Sequence, residues 1–151
     1  MLAVAVLIVT AGCSAGSGAT ASPASAAPAS PAASAATGMM ASGRFHDVDG
    51  SATGQAQIVV KAGGAYEVVL EEFKIPAIEH TNIVLVSNAD VKATADVDKS
   101  KLLDLGPLKA AEGMQDFPIP ADMAKNVMDG YHTVVLWDTA MAHALAAAPL
   151  S

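Results

Sequence analysis

Residues 131–150, YHTVVLWDTAMAHALAAAPL, decide what kind of fold this chain can make. The opening YHTVVLW is β-branched or aromatic at most positions, the composition that packs well on a pleated surface, and it is the strongest strand signal in the chain. Trp137 is expected at the centre of the core that such a strand builds. The continuation, DTAMAHALAAAPL at 138–150, is rich in Ala, Leu and Met. These residues lead the ranking of helix formers, so propensity alone predicts a helix there.

Working back from Tyr131, the pattern is one of short strand-like runs separated by turn residues. GQAQIVV (54–60) sets Ala56, Ile58 and Val60 against Gln55 and Gln57, as a half-buried strand does. Gly63-Gly64 can supply the positive φ of a tight hairpin, which makes YEVVLEEF (66–73) the returning strand. TNIVLVS (81–87) is apolar on both faces at its centre and suits an inner strand. A polar stretch carrying Lys99, Lys101 and Asp104 follows without a clear element. MQDFPIP (114–120) reads as a short edge strand broken by Pro118 and Pro120, and ADMAKNVMDG (121–130) as a helical turn or two ending at Gly130. The predicted fold is an all-β antiparallel sandwich over residues 44–151.

The rest of the chain has a different character. Residues 1–43 contain no Asp, Glu, Lys, Arg or His, so all 15 acidic and 8 basic side chains, and the net charge of −7, fall from Arg44 onward. An acidic surface repels phosphates and anionic headgroups, which argues against a nucleic-acid partner or docking on acidic lipid. LAVAVLIV (2–9) has the length of a signal-peptide core and is too short to span a bilayer. No basic residue precedes it, which places the true start upstream of Met1 or implies trimming. VTAGCS (9–14) resembles a bacterial lipobox, so residues 1–12 are read as the signal peptide and Cys13 as the lipid-bearing new N-terminus. Two or three acyl chains anchor stably where one does not. The alternative is an ordinary secretory peptide cleaved at a later Ala-Ser-Ala site. Residues 13–43 are nearly all Ala, Ser, Pro, Gly and Thr, with Pro23, Pro28 and Pro31 opposing a helix, and are read as a disordered linker whose thirty-odd residues span about 30 Å as a coil.

Candidate chemistry is sparse. Asp138 ends an apolar strand, so its carboxylate must be exposed, hydrogen-bonded, paired or ligating, and backbone N–H groups are the expected partners. His132, Asp138, Met141 and His143 can be imagined as a copper-type set of imidazoles, thioethers and a carboxylate. Met114, Met123 and Met128 add thioethers, though methionine is also a common core filler. HDVDGS (46–51) has Asp47, Asp49 and Gly50 in calcium-loop order but lacks the remaining ligands, and is read as a turn bent at Gly50 with His46 exposed or capping. No G-x-S-x-G, Walker or dinucleotide motif is present, and no catalytic residue or cofactor is assigned.

GRFHDVDGSATGQAQI, LEEF, HTNIVLVS, LGPLKAAEGMQDFPIP and YHTVVLWDTAMAHALAAAPL follow one another in that order. Through them residues 44–150 resemble the DM-thirteen domain family, small extracellular β-sandwich modules described as electron-transfer domains. The resemblance implies that residues 142–147 continue the sheet, against their propensity. It also implies a cysteine straight after the tryptophan, on which the family's suggested redox role rests; this chain has Asp138 there. The expected protein is an extracytoplasmic lipoprotein held on the bacterial cell membrane through Cys13. Its domain is expected to be a non-catalytic binding or accessory module whose partner is an envelope protein or small ligand. The alternatives are electron transfer or metal binding at the four residues above, and a purely adhesive or structural module.

Overall fold

The computed structural model describes residues 36–77 and 79–151, with side chains from Gly38 onward. The apolar run at 2–9, Cys13 and linker residues 14–35 lie outside the described residues. Among the described residues nine strands are formed: β1 (Ala36–Arg44), β2 (His46–Asp47), β3 (Thr53–Lys61), β4 (Tyr66–Lys74), β5 (Thr81–Val86), β6 (Leu103–Pro107), β7 (Glu112–Pro118), β8 (Thr133–Asp138) and β9 (His143–Pro149). One short helix, α1 (Val127–Gly130), precedes β8. The first sheet has the order β1-β3-β4-β7 and the second β2-β9-β8-β5-β6. Every pairing is antiparallel, as the sequence predicts.

The alternation read from the sequence sets the register of the first sheet. Ala56 and Ile58 of β3 and Val68 and Leu70 of β4 point inward and are fully buried, while Gln55, Gln57 and Glu71 point out. There the Glu71 Oε2 accepts from Gln55 Nε2 at 2.8 Å and Gln57 Nε2 at 2.6 Å, a polar ladder across the outer face. Gly63 and Gly64 hold φ of 95° and 81° in the tight loop between β3 and β4, which is closed by the Lys61 N–H on the Ala65 carbonyl at 2.8 Å and the Gly64 N–H on the Lys61 carbonyl at 3.0 Å.

The second sheet is wet on neither side of its centre. Ile83 and Leu85 of β5, Val134 and Leu136 of β8, and Ala146 and Ala148 of β9 face the first sheet and its Phe73 and Phe117. Val84, Val86, Val135, Trp137, Ala144 and Ala147 lie on the opposite face, where Val91 and Val97 from the β5–β6 connection cover them. Trp137 therefore belongs to this second cluster and not to the centre of the sandwich, which corrects the expectation above. The reason is parity: Leu136 faces the sandwich interior, so its neighbour must face away. The Lys99 Nζ lies 5.4 Å from the Trp137 ring centroid.

Two further differences from the sequence reading have physical causes. Residues 36–43, read as the end of the linker, form most of β1 and pair with β3 from Ala36↔Lys61 to Arg44↔Gln55. Small residues do not disqualify a strand when its partner already presents a full ladder of donors and acceptors. At the seam between the sheets, Ser42 and Ser151 exchange backbone bonds of 3.2 and 3.0 Å. A Cβ on Gly43 would come within 2.0 Å of the Pro149 carbonyl oxygen, so only glycine permits this approach. Residues 103–107 form the edge strand β6, whose Gly106-Pro107 end hides the alternation. Residues 143–149 are strand β9, as the family resemblance implies for 142–147: pairing with β8 and burial of Ala144, Ala146, Ala147 and Ala148 outweigh propensity differences of under about 1 kcal/mol per residue. The edge position of β7 and the short helix ending at Gly130 agree with the sequence reading.

Two outcomes test this packing. Leu136→Ala, at 0% exposure in the inter-sheet core, is expected to cost about 3 kcal/mol in chemical denaturation, with the fold retained. Deleting residues 36–43 strips β1 from β3 and uncovers Val59; the melting temperature is expected to fall by about 10 °C or more.

Candidate functional site

The residue that follows the tryptophan sits at one end of the second sheet, where three strands bring different side chains together. Asp138 is the last residue of β8, opposite Thr81 of β5 and His143 of β9. Its residue exposure is 9%. The Oδ1 atom accepts from the backbone N–H groups of Ala140 at 2.8 Å and Met141 at 2.9 Å, so the carboxylate closes the turn from β8 to β9. This is the partner set the sequence predicts for it. The Met141 N–H holds the Asp138 carboxyl below its ordinary value; burial opposes this, and the Ala140 N–H and the nearby His143 and His80 add to the lowering.

His80 is the member of this group that the sequence reading missed. It precedes β5 at φ 58°, and its carbonyl accepts from the Thr139 N–H at 2.8 Å and from the Thr139 Oγ1 hydroxyl at 2.9 Å. Nothing local marks it, because it reaches Asp138 only through the pairing of β5 with β8. Met141 stands 73% exposed in the turn. His143 begins β9 and is half-buried.

His132, the fourth member of the copper-type set, is elsewhere. It precedes β8, donating its N–H to the Val86 carbonyl at 2.9 Å and accepting from the Leu150 N–H at 2.7 Å. Six residues of extended chain separate it from Asp138, about 20 Å, so strand parity puts the two on one face but not in one site. Among the described residues no group of three His, Cys, Asp or Glu is placed to hold a metal ion.

The HDVDGS segment is built as a turn. Val48 and Gly50 donate to the Leu145 carbonyl and Asp49 to that of Ala144, which stitches the segment onto β9. The Asp47 Oδ1 accepts from the Ala52 N–H at 3.3 Å, and the Asp49 Oδ2 from the Thr94 hydroxyl at 2.5 Å. His46 is half-buried, with its Nε2 2.8 Å from the Asp90 Oδ1; that hydrogen bond is the main cause holding the Asp90 carboxyl below its ordinary value. A pair with about a third of each side chain in solvent contributes at most about 1 kcal/mol. The neighbouring cleft, lined by Gly50, Ile75, Pro76, Ala77 and Leu145, has about 110 Å³. Ligand sites ordinarily need roughly 300 Å³ or more.

The Asp138 turn has a pH signature. A carboxyl lowered in the folded state contributes its full stability above the unfolded value near 3.9, loses it as pH falls through the folded value, and contributes nothing below that. Asp138→Asn is therefore expected to flatten the fall in melting temperature between about pH 5 and pH 2, read by calorimetry across that range. An unchanged slope would mean that the carboxylate is not what holds the turn.

Comparison with known families agrees with this architecture. No curated protein and no solved structure matches the chain. The family model described as electron transfer DM13 matches residues 44–150, which begins at the end of β1 and runs through β9. Over seven-tenths of its length, including β2 to β9 and the Asp138 turn, the chain belongs to the DM13 electron-transfer domain family.

Proposed function

We propose that this protein is a membrane-anchored cell-envelope lipoprotein whose DM13 domain works as a non-catalytic binding or accessory module. The observation that carries the reading is Asp138. Where the family resemblance implies a thiol, the chain has a carboxylate whose Oδ1 is already engaged by two backbone N–H groups. A carboxylate cannot cycle between thiol and disulfide, and residues 36–151 contain no cysteine. Family membership thus supplies the scaffold of an electron-transfer-related module, while function belongs to the side chains that scaffold now carries. The anchor rests on VTAGCS and on the uncharged stretch that follows it. In this reading the sulfur of Cys13 is a lipid-bearing thioether and not a free thiol.

The other reading is electron transfer or metal binding at the Asp138 end of the sheet, with His80 and His143 in place of the distant His132. One titration separates the two. Adding copper(II) to the full chain at neutral pH is expected to leave Trp137 fluorescence and the visible spectrum unchanged. Stoichiometric uptake that is lost in His143→Ala would replace the binding-module reading with the metal one. For the anchor, Cys13→Ala is expected to move the protein from the membrane pellet to the soluble fraction; retention in the pellet would remove the lipid assignment.

A further inference from the structure

We infer that the surface methionines of this domain are reversible oxidation sites that consume hydroperoxide-class oxidants, with Met141 foremost. The inference goes beyond the binding role above and does not depend on it.

The observation is an inversion of the usual place of methionine. This residue type is ordinarily among those most often buried. Here none of the six methionines between residues 36 and 151 is buried: Met39, Met40, Met114 and Met141 are exposed at 61, 46, 53 and 73%, and Met123 and Met128 are half-buried against the core. The interior is filled by Ala, Val, Ile, Leu, Phe and Trp without any methionine. The flexible filler of most cores is therefore displaced to the surface.

The four exposed positions share a second property, which is that each lies in a turn or on an edge strand. Met141 stands in the β8–β9 turn, whose shape is fixed by backbone bonds to Asp138 and not by the thioether. Met39 and Met40 lie on the sheet-edge strand β1, at the register shift between Met39 and Ala41. Met114 lies on the opposite edge strand, β7. All four lie outside the buried clusters, whereas a sulfoxide at Met123 or Met128 would form against the core. With no cysteine in residues 36–151, thioethers are the sulfur this domain offers to an oxidant.

The chemistry is a two-electron oxygen transfer. The thioether sulfur attacks the terminal oxygen of a hydroperoxide; an S–O bond forms, the O–O bond breaks, and the departing alkoxide or hydroxide takes up a proton to leave as alcohol or water. Sulfur is oxidised by two electrons and the peroxide reduced by two. A thiol-driven methionine sulfoxide reductase reverses the change, with two thiols becoming a disulfide and the oxygen leaving as water.

The test uses the full chain treated with hydrogen peroxide and fragment-level peptide mass spectrometry at each methionine. Met141, Met39, Met40 and Met114 are expected to gain oxygen at least about fivefold faster than Met123 and Met128. Circular dichroism and melting temperature are expected to stay unchanged, and sulfoxide reductase with a dithiol to restore the original mass. Equal rates at the two classes, unfolding on oxidation, or sulfoxides that the reductase does not remove would each overturn the inference. A variant with all four exposed methionines changed to leucine is expected to keep its melting temperature and consume at least about threefold less peroxide over the same interval. Undiminished consumption would overturn it equally.

Discussion

Strand β8 has water on neither face, and the architecture can be understood as what is needed to keep it dry. Every residue from Thr133 to Asp138 is buried. A two-layer sandwich covers one face only, that of Val134 and Leu136. The other face, with Val135 and Trp137, is covered by the long connection from β5 to β6, which lays Val91 and Val97 over it. Fully burying side chains of this size is worth about 1.5–3 kcal/mol each, enough to fold an otherwise polar connection back across the sheet. Thr94 fastens it there, its hydroxyl accepting from the Ala144 N–H at 2.8 Å and donating to Asp49. That attachment also ties the HDVDGS turn to the same cover through Asp49.

The dryness of β8 separates the polar chemistry of the sheet into two ends. At one end His132 is held between the Val86 and Leu150 backbones; at the other Asp138 closes the turn to β9, with His80 and His143 near it. Apolar strand lies between, so polar residues that look like one set in the sequence are divided into two neighbourhoods. At the Asp138 end, Thr81 of β5, Asp138 of β8 and His143 of β9 stand opposite one another. This is also the end at which the chain departs from what the family resemblance implies, with a capped carboxylate at the thiol position.

The edges of the sheets show how the surface is managed. Strand β2 is two residues long, and β6 and β7 both end in proline, devices that discourage pairing with another chain. Strand β1 has neither charge nor proline before Arg44, and relies on its register shifts and on the seam with Ser151. Met39 and Met40 occupy this edge and Met114 the opposite one, so oxidisable sulfur sits where it can change without disturbing the interior.

The amino-acid order by itself determined the antiparallel class, the β3–β4 hairpin with its two glycines, the inner position of β5, the edge position of β7 and the turn-capping role of Asp138. These depend on alternation, turn residues and the cost of burying a charge, all of which are local. Tertiary structure decided the rest. Strand β1 is too plain in composition to be seen without the ladder of β3, and β9 is built of helix formers that only its burial against β8 turns into strand. Whether Trp137 faces the sandwich or its cover, and whether His80 or His132 stands near Asp138, depends on which strand lies beside which. That neighbour relation is fixed by contacts between residues dozens of positions apart, which local patterns do not encode.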